Sequence, residues 1–356
     1  MKIDFELLKK LVALPTPTGF EYDGMALLAS AMKDDVQDLA LDRHGNLRGR
    51  INPGAPLKVM LEAHCDEIGF IVQYIDEDGF LYMSALGGVT VPLVAAERLV
   101  LLGKQGPVYG VFGVRPPHLM TAKEREHVAP SSLKNITVDI GAKSREDALK
   151  VVDVGTPAVV DTGWHQLLNS RVACRGFDNR SGAFVVSQVA RRLAREKLNV
   201  ELNVVASVQE EVGLVGGMTT AYDINPDIGF CVDVTFATDA QKEDRRVCGD
   251  VRVGGGAAIA VGPTYHPVVT GLVTETAERE KIPYQKRAAA RGNGTCAWAM
   301  RLSRSGAAVA QIGIPLRSMH SPVEVISLED VEAVIDVLAA SIKAIPADIQ
   351  LARRLP

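Results

Sequence analysis

Apolar residues in this chain occur in short runs, and each run is followed at once by polar residues. Runs of this length, rich in Val, Ile and Leu and bounded by turn residues, predict buried strands. Elsewhere apolar residues recur every three or four positions, as they do after Asp178, and this spacing predicts helices. Alternating strands and helices indicate an α/β fold, here a mixed sheet covered by helices. Four of the apolar runs are followed by acidic or histidine residues, and these runs cover residues 57–61, 204–208, 228–232 and 307–314.

The middle of the chain has a different texture. From 69 to 160, short runs rich in Val and Gly alternate with turns, as in Val108–Gly113. This pattern predicts a small β-rich domain inserted into a larger one. We therefore expect a main domain formed by 1–68 and 161–356, and an inserted domain at 69–160.

Two adjacent acids, Glu210 and Glu211, end one of the predicted strands. Ionised carboxylates near a core are costly unless they are paired or bound to a metal. The carboxyl ends of strands in an α/β sheet are also where ligands bind. Alternatively, the two acids are solvated charges at a strand end. The pair alone does not distinguish this role from binding of a metal or another ligand.

Histidines and further acids follow the other predicted strands. His64 ends the first run, and Asp66 lies on the same side of an extended chain, where it can orient a metal-binding imidazole. Asp233 ends another run, and His320 lies a short loop beyond the last. Asp178 opens a predicted helix, so capping that helix is an alternative role for it.

The charges of this set suit two divalent cations. Asp178, Glu211 and Asp233 supply three negative charges, while His64 and His320 are neutral ligands. Imidazole and carboxylate ligands are typical of zinc, manganese or cobalt, and paired ions of this kind occur in aminopeptidases. Glu210 is left over and is the candidate general base.

At this point the chain resembles the M42 family of metallo-aminopeptidases, which includes the glutamyl and tetrahedral aminopeptidases. The matching segments run in the family's order over nearly the whole chain. They are AHCDEIGF from Ala63, RPPH from Arg115, DIGAKS from Asp139, FDNR from Phe177, QEEVG from Gln209, VDVT from Val232 and MHSPVE from Met319.

The resemblance implies a role for each candidate. His64 and Asp233 would hold one metal ion, Glu211 and His320 the other, and Asp178 would bridge them. Asp66 would support His64 and take part in catalysis with Glu210, the general base. The resemblance also implies that 69–160 is a dimerisation domain, that dimers assemble into dodecamers, and that the substrates are peptides with a free N-terminus.

Two of the departures from the family's pattern bear on specificity. Cys296 stands where relatives often carry Asp in a GTDA segment. The polarity of the active site near this residue and the recognition of substrate are therefore not predicted from the family. Residues 240–246 form a charged segment for which we favour a solvated loop. For substrate preference, Arg291 and Arg317 lie near family-like segments, but surface solvation is the expected role of both.

Composition narrows the class of protein. The 356 residues carry a formal net charge of -4, which gives no support for a nucleic-acid or membrane partner. Five scattered cysteines without CxxC spacing suit a reducing compartment, and the start lacks the pattern of a secretory signal, so we expect a cytoplasmic protein.

Three other functions remain to be weighed. A related dinuclear-metal deacylase or carboxypeptidase would use the same ligands. A glycosidase would use Glu210 and a second acid but would leave His64, Asp233 and His320 without a role. A scaffold without activity would not need the base and all five ligands.

Overall fold

The structure, a computed structural model, describes residues 3–122, 125, 132–240, 243–291 and 294–352. Its main domain is built on a sheet of eight strands, and the four central strands are parallel. The prediction of a mixed sheet covered by helices is thus confirmed. In spatial order the strands are β1 (Gln37–Leu41), β2 (Leu47–Ile51), β12 (Glu201–Ser207), β3 (Lys58–His64), β13 (Ile228–Phe236), β16 (Ala308–Leu316), β14 (Ala257–Val261) and β15 (Tyr284–Ala288).

Helices cover both faces of this sheet. One face packs against five helices and forms a core that includes Leu8, Met25, Phe184 and Val334, none of them more than 1% exposed. The five are α1 (Glu6–Ala13), α2 (Tyr22–Met32), α4 (Phe177–Leu193), α7 (Pro267–Glu280) and α9 (Leu328–Lys343). The other face packs against α5 (Val215–Ile224) and α8 (Cys296–Leu302). The remaining helices are the short α3 (Arg145–Leu149) and α6 (Arg245–Cys248).

The inserted segment closes into a six-stranded barrel. Its core is apolar, and the Phe70 and Phe112 rings meet edge to face with centroids 4.9 Å apart. Gly69 opens the first strand because a Cβ there would lie 2.7 Å from the Ala158 carbonyl oxygen. The strands are β4 (Gly69–Ile75), β5 (Leu81–Leu86), β6 (Arg98–Gly103), β7 (Gly106–Phe112), β8 (Val138–Asp139) and β9 (Pro157–Val160).

A third, small sheet leads from the barrel back to the main domain. It consists of β10 (His165–Gln166), β11 (Arg171–Cys174) and β17 (Glu324–Ser327). Because β11 runs directly into α4 and β17 follows the loop that carries His320, this sheet brings Asp178 and His320 together.

The register of the central strands aligns their carboxyl ends. Ser207 of β12 pairs with His64 of β3, and Cys231 of β13 pairs with Glu62, two residues before His64. Asp233 and His64 therefore reach the same edge of the sheet, and the chain turns there from β12 into Glu210. Chain order alone does not bring these residues together; the parallel pairing does.

Candidate metal centre

All seven site residues expected from the sequence lie at this edge of the sheet. Six of them offer donor atoms in two groups, and within each group the donor atoms lie within 4.8 Å of one another. One group is His64, Glu210 and Asp233, and the other is Asp178, Glu211 and His320.

Asp178 links the two groups. Its Oδ1 lies 3.4 Å from His64 Nε2, and its Oδ2 lies 3.4 Å from His320 Nε2. Within the first group, His64 Nε2 is also 3.8 Å from Asp233 Oδ1 and 4.0 Å from Glu210 Oε2. One carboxylate thus presents one oxygen to each group, which is the arrangement that a shared ligand requires.

Asp66 fixes the first group from behind. Its Oδ1 lies 3.3 Å from His64 Nδ1, so that the Nε2 atom of this ring faces the donors. The same carboxylate accepts hydrogen bonds from the backbone N–H groups of Glu210 and Glu211, both at 3.1 Å. A single fully buried side chain therefore sets the imidazole orientation and the position of the two acids.

Glu324 does the same for the second group, and it is not among the site residues expected from the sequence. Its two carboxylate oxygens accept hydrogen bonds from the backbone N–H groups of Asp178 and His320, both at 3.1 Å. The side chain is only 2% exposed. Its presence in the MHSPVE segment was the one available signal, since nothing in an acid at a strand start predicts backbone contacts of this kind.

Capping is not the role of Asp178. Within the described residues its carboxylate accepts no hydrogen bond from a helix N–H group, although its backbone (φ -77°, ψ 105°) has the non-helical form that a cap requires. The helix is capped instead by Asn179, whose Oδ1 accepts a hydrogen bond from Gly182 N at 3.1 Å. The alternative reading of Asp178 as an N-cap is therefore wrong, and its carboxylate is left facing the two histidines.

A buried ion cluster lies under the loop that carries Asp178. The Glu67 carboxylate contacts Arg175 Nη1 at 2.6 Å and Arg180 Nη1 at 2.8 Å, and it also accepts a hydrogen bond from Thr16 N at 3.0 Å. All three charged side chains are at least 93% buried. Glu67 follows Asp66 in the chain, so the cluster ties the loop after β3 to the start of α4.

The carboxylates of the site raise the pKa of both histidines. Burial alone would lower the pKa of His64, but Glu210, Asp178 and Asp66 raise it well above its ordinary value. The pKa of His320 is raised to about 11 by its hydrogen bonds with Asp178 and Glu211.

The carboxyl groups themselves are shifted in opposite directions. Burial raises the pKa of Glu210 to about 9, and burial also raises the pKa of Asp233 well above its ordinary value. Burial opposes ionisation of Asp178 too, yet the hydrogen bonds from His320 and His64 hold its pKa below the ordinary range. Of these three groups, Asp178 is the one whose ionised form the two histidines favour most.

The donors present fit a pair of divalent metal ions. Each group contains one imidazole nitrogen and carboxylate oxygens but no thiol, a set that suits zinc, cobalt or manganese. Asp66 and Glu324, which are not in either group, already orient these donors through hydrogen bonds, as metal sites require.

A cavity of about 350 Å³ opens onto both groups. Besides the six donor residues it is lined by Phe236, Arg287, Thr295 and Gln311, among others. Cys296 is 1% exposed and its Sγ packs toward Gly217 beneath this surface, so the departure from the GTDA pattern does not place a thiol in the cavity wall.

Neither arginine considered from the sequence lines this cavity. Arg317 is half-buried and pairs with Asp239, with Nη2 and Oδ2 2.5 Å apart, so its expected solvated role is wrong. Arg291 is exposed. Of the segment 240–246, residues 241 and 242 lie outside the described part, and the described Asp244 caps the short helix α6.

A larger cavity of about 740 Å³ lies away from these groups, near the start of α7. Its described lining includes His266 but no carboxylate, so it lacks the donors and the charge of the smaller one. In the ranges that the structure describes, no helix has the length and apolar character needed to cross a membrane.

Comparisons with known proteins agree with this geometry. The family model described as M42 glutamyl aminopeptidase matches residues 45–337. A lysyl aminopeptidase of Pyrococcus furiosus is 34% identical over 95% of this chain and 96% of its own. Aminopeptidase APDkam598 of Desulfurococcus kamchatkensis has a similar structure, with a TM-score of 0.89 and 35% identity over 97% of this chain and 95% of its own.

A third similar protein bears on assembly. The TET1 peptidase of Pyrococcus horikoshii, described as able to assemble into a tetrahedron or a large octahedral shell, has a TM-score of 0.85 and 27% identity over 96% of this chain and 99% of its own. Matches of this extent, with the motifs and fold in agreement, show that the chain is a hydrolase that belongs to the M42 aminopeptidase family.

Proposed function

We propose that the protein is a dinuclear-metal aminopeptidase that removes N-terminal residues from peptides. The observation that carries the proposal is the Asp178 carboxylate, which presents one oxygen to each of two His-carboxylate groups inside one cavity. Family membership supports the same activity.

In this proposal His64 and Asp233 would hold one metal ion, and Glu211 and His320 would hold the other. Asp178 is shared between them, and two ions of zinc, cobalt or manganese per subunit would fit the donors. When bound, such ions supply Lewis acidity to the attacking water and the scissile carbonyl.

Glu210 is the proposed general base. Burial raises its pKa, and divalent cations bound beside it would favour the ionised form again. The carboxylate would then take a proton from the attacking water and deliver it to the leaving amine, so that the peptide bond is hydrolysed without net proton change. Asp66 assists as a positioning residue, because it orients His64 and holds the backbone of Glu210.

On the basis of this acidic site we also expect the protein to require a free α-amino group. Four carboxylates surround the centre, and a protonated or metal-bound amine is held there more favourably than a neutral amide. A deacylase with the same metals would instead cleave the N-acylated form, and a carboxypeptidase would release residues from the C-terminus. A glycosidase would need only two carboxylates, and both histidines would then have no role.

Cleavage of a free peptide and its N-acetylated form by the purified protein tests the proposal. We expect the free peptide to be cleaved from its N-terminus and the acetylated one to resist, with activity abolished by a chelator and restored by a divalent metal. Equal cleavage of both peptides, or full activity after verified metal removal, would refute the aminopeptidase assignment.

The proposal extends to domains and assembly. We assign catalysis to 1–68 and 161–356 and dimerisation to the inserted domain at 69–160, with dimers building a dodecamer. The inserted domain exposes Tyr109 and Val111 on β7 and Val114 and Leu119 just after it, each 44–66% accessible, and apolar residues of this kind suit an interface between copies. A cytoplasmic location stays a prediction from the cysteine pattern.

A further inference from the structure

A turn of the inserted domain lies directly against the second group of donors. Gly87 and Gly88 follow β5, whose last residue pairs with Gly69, the first residue of β4. The turn therefore lies where the barrel meets the main domain. The Gly88 carbonyl oxygen is 3.1 Å from Nδ1 of His320, which lies 232 positions further along the chain. A candidate metal ligand of the main domain is thus in contact with the backbone of the inserted domain.

This contact decides which nitrogen of His320 can bind a metal. A carbonyl oxygen only accepts hydrogen bonds, so Nδ1 is the donor to Gly88. In the neutral ring, Nε2 then keeps its lone pair and faces the carboxylates, at 3.4 Å from Asp178 Oδ2 and 3.5 Å from Glu211 Oε1. Metal-binding histidines generally donate their other ring N–H to a carboxylate or a carbonyl, which fixes the tautomer and the orientation of the ring.

The ring of His320 is less enclosed than that of His64. The His320 side chain is 32% exposed, whereas the His64 side chain is 3% exposed. Glu324 holds the backbone N–H of His320 at 3.1 Å, but this bond does not restrain the ring. Packing therefore fixes the orientation of the first ring, while the orientation of the second depends on its hydrogen bonds.

The two glycines permit the close approach of the turn. A Cβ at Gly88 would lie 2.9 Å from His320 Nδ1 and 3.1 Å from its Cε1, well inside ordinary van der Waals contact. A Cβ at Gly87 would lie 3.1 Å from the Cβ of Glu211, the other ligand-type residue contacted by the turn. The inserted domain therefore fits against both side chains through its backbone, and a side chain at position 88 would displace the ring.

We propose that Gly88 is a positioning residue for His320, through which the inserted domain sets the affinity of the second group of donors for a metal ion. The main domain supplies every donor of the centre, but the inserted domain orients one of them. This gives the inserted domain a role at the centre in addition to its proposed role in dimerisation. The inference rests on the proposed dinuclear function, since it assumes that His320 is a metal ligand.

Gly88→Ala tests the contact. The φ of Gly88 lies outside the left-handed region, so the backbone accepts alanine, while the added methyl group pushes the His320 ring from its position. Calorimetric titration of the metal-free protein with Co²⁺ measures the affinity of each equivalent. We expect one equivalent to bind about 10–100-fold more weakly than in wild type, the usual effect of losing the hydrogen-bond partner of a ligand, and the other to keep its affinity.

Gly163→Ala is the matched control. It adds the same methyl group to an exposed glycine whose φ also lies outside the left-handed region. The new Cβ would lie more than 4 Å from every described atom outside its immediate chain neighbours. Both Co²⁺ affinities should equal those of the wild type. Thermal unfolding and light scattering of the metal-free proteins check that each variant keeps its fold and its mass.

A double variant separates an effect through the ring from a general one. His320→Ala removes the ligand itself, so adding Gly88→Ala to it should cause no further loss of affinity. A loss of full size in the double variant would overturn the proposal, because the methyl group would then act without the ring.

The outcomes distinguish the two proposals. A folded Gly88→Ala protein that binds both equivalents as tightly as Gly163→Ala overturns the role of Gly88 and leaves the dinuclear assignment intact. A crystal structure of the Co²⁺-bound wild type, which needs no variant, also overturns it if Gly88 O and His320 Nδ1 are more than about 3.5 Å apart. A wild type that binds fewer than two equivalents of Co²⁺ would instead count against the proposed function.

Discussion

Glu210 and Glu211 are neighbours in the chain but face different groups of donors. Glu210 Oε2 lies 4.0 Å from His64 Nε2, whereas Glu211 Oε1 lies 3.5 Å from His320 Nε2. Asp66 permits this separation because each of its oxygens holds one of the two backbone N–H groups. Two adjacent acids can therefore take different roles at one centre.

We expect Glu210→Gln to separate metal binding from turnover. The amide keeps the size of the side chain but cannot accept the proton, so kcat should fall by about 10²–10⁴-fold. Bound metal, measured by mass spectrometry of the metal content, should stay near the wild-type amount. Asp178→Asn is the contrasting variant, because it weakens the shared ligand and should lower the metal content. Loss of metal from Glu210→Gln would make Glu210 a ligand and not the base.

Glu21 gives a pH-dependent contribution to stability. Burial raises its pKa to about 7 from 4.5, while its Oε1 accepts hydrogen bonds from Gly19 N and Gln209 N. Because the folded-state pKa is the higher one, the folded state holds a proton that the unfolded state has lost between pH 4.5 and 7. The contribution of Glu21 to stability therefore falls as pH rises through this window.

Glu21→Gln should remove this dependence, since its amide oxygen still accepts both hydrogen bonds and has no charge. Relative to wild type, we expect the variant to gain up to about 3 kcal/mol of unfolding free energy between pH 5 and pH 8. Urea unfolding at both pH values, with the same metal content in both proteins, measures the difference. A stability difference that does not change with pH would contradict the raised pKa.

At the scale of elements, the contacts that hold the site connect segments far apart in the chain. Glu67 joins the loop after β3 to the start of α4, and Glu324 joins α4 to the loop before β17. Each of these contacts pairs a buried backbone N–H group or a buried charge that has lost its water. Breaking one leaves that group without a partner, which lowers the free energy of unfolding.

Glu67→Gln should destabilise the main domain strongly. It leaves the guanidinium groups of Arg175 and Arg180 buried without their carboxylate, which typically costs about 3–5 kcal/mol. The unfolding free energy from denaturant titration is the measurement. Glu196→Gln, which breaks an exposed pair with Lys343, is the control and should have little effect. Equal losses in the two variants would show that burial of the cluster is not the decisive factor.

The strands and their polar ends could be predicted because buried strands are apolar runs and ligands follow their carboxyl ends. The side-chain contacts at the helix starts could not be predicted in the same way, although α9 begins directly after Ser327 as its pattern indicates. Ser327-Leu328-Glu329-Asp330 has the form of a capping box, yet Ser327 makes no side-chain cap. Asp330 instead accepts hydrogen bonds from Gly254 N and Gly256 N, in a loop more than 70 residues away in the sequence. Contacts of this kind, like those of Glu324 and Gly88, depend on tertiary neighbours that no local pattern contains.

At the scale of the whole molecule, we expect the protein to form an assembly much larger than its 38.2 kDa chain. The exposed apolar side chains of the barrel, among them Tyr109 at 63%, favour contact with a second copy. Light scattering coupled to size exclusion measures the mass. Tyr109→Lys should shift the population toward smaller species, whereas Tyr222→Lys, on an exposed helix of the main domain, should not. A wild-type monomer at micromolar concentration would contradict the prediction.

The barrel leaves and rejoins the main domain at one place. Its first and last strands pair with each other, Phe70 with Ala158 and Ile71 with Pro157, so the two points where the chain crosses are adjacent. A segment whose ends meet in this way can change in length, sequence or surface while the eight-stranded sheet keeps its register. If the segment carries the proposed dimer contacts, exchanging the residues between Gly69 and Val160 other than Gly87 and Gly88 should change the quaternary arrangement and leave the reaction at the metal centre unaltered.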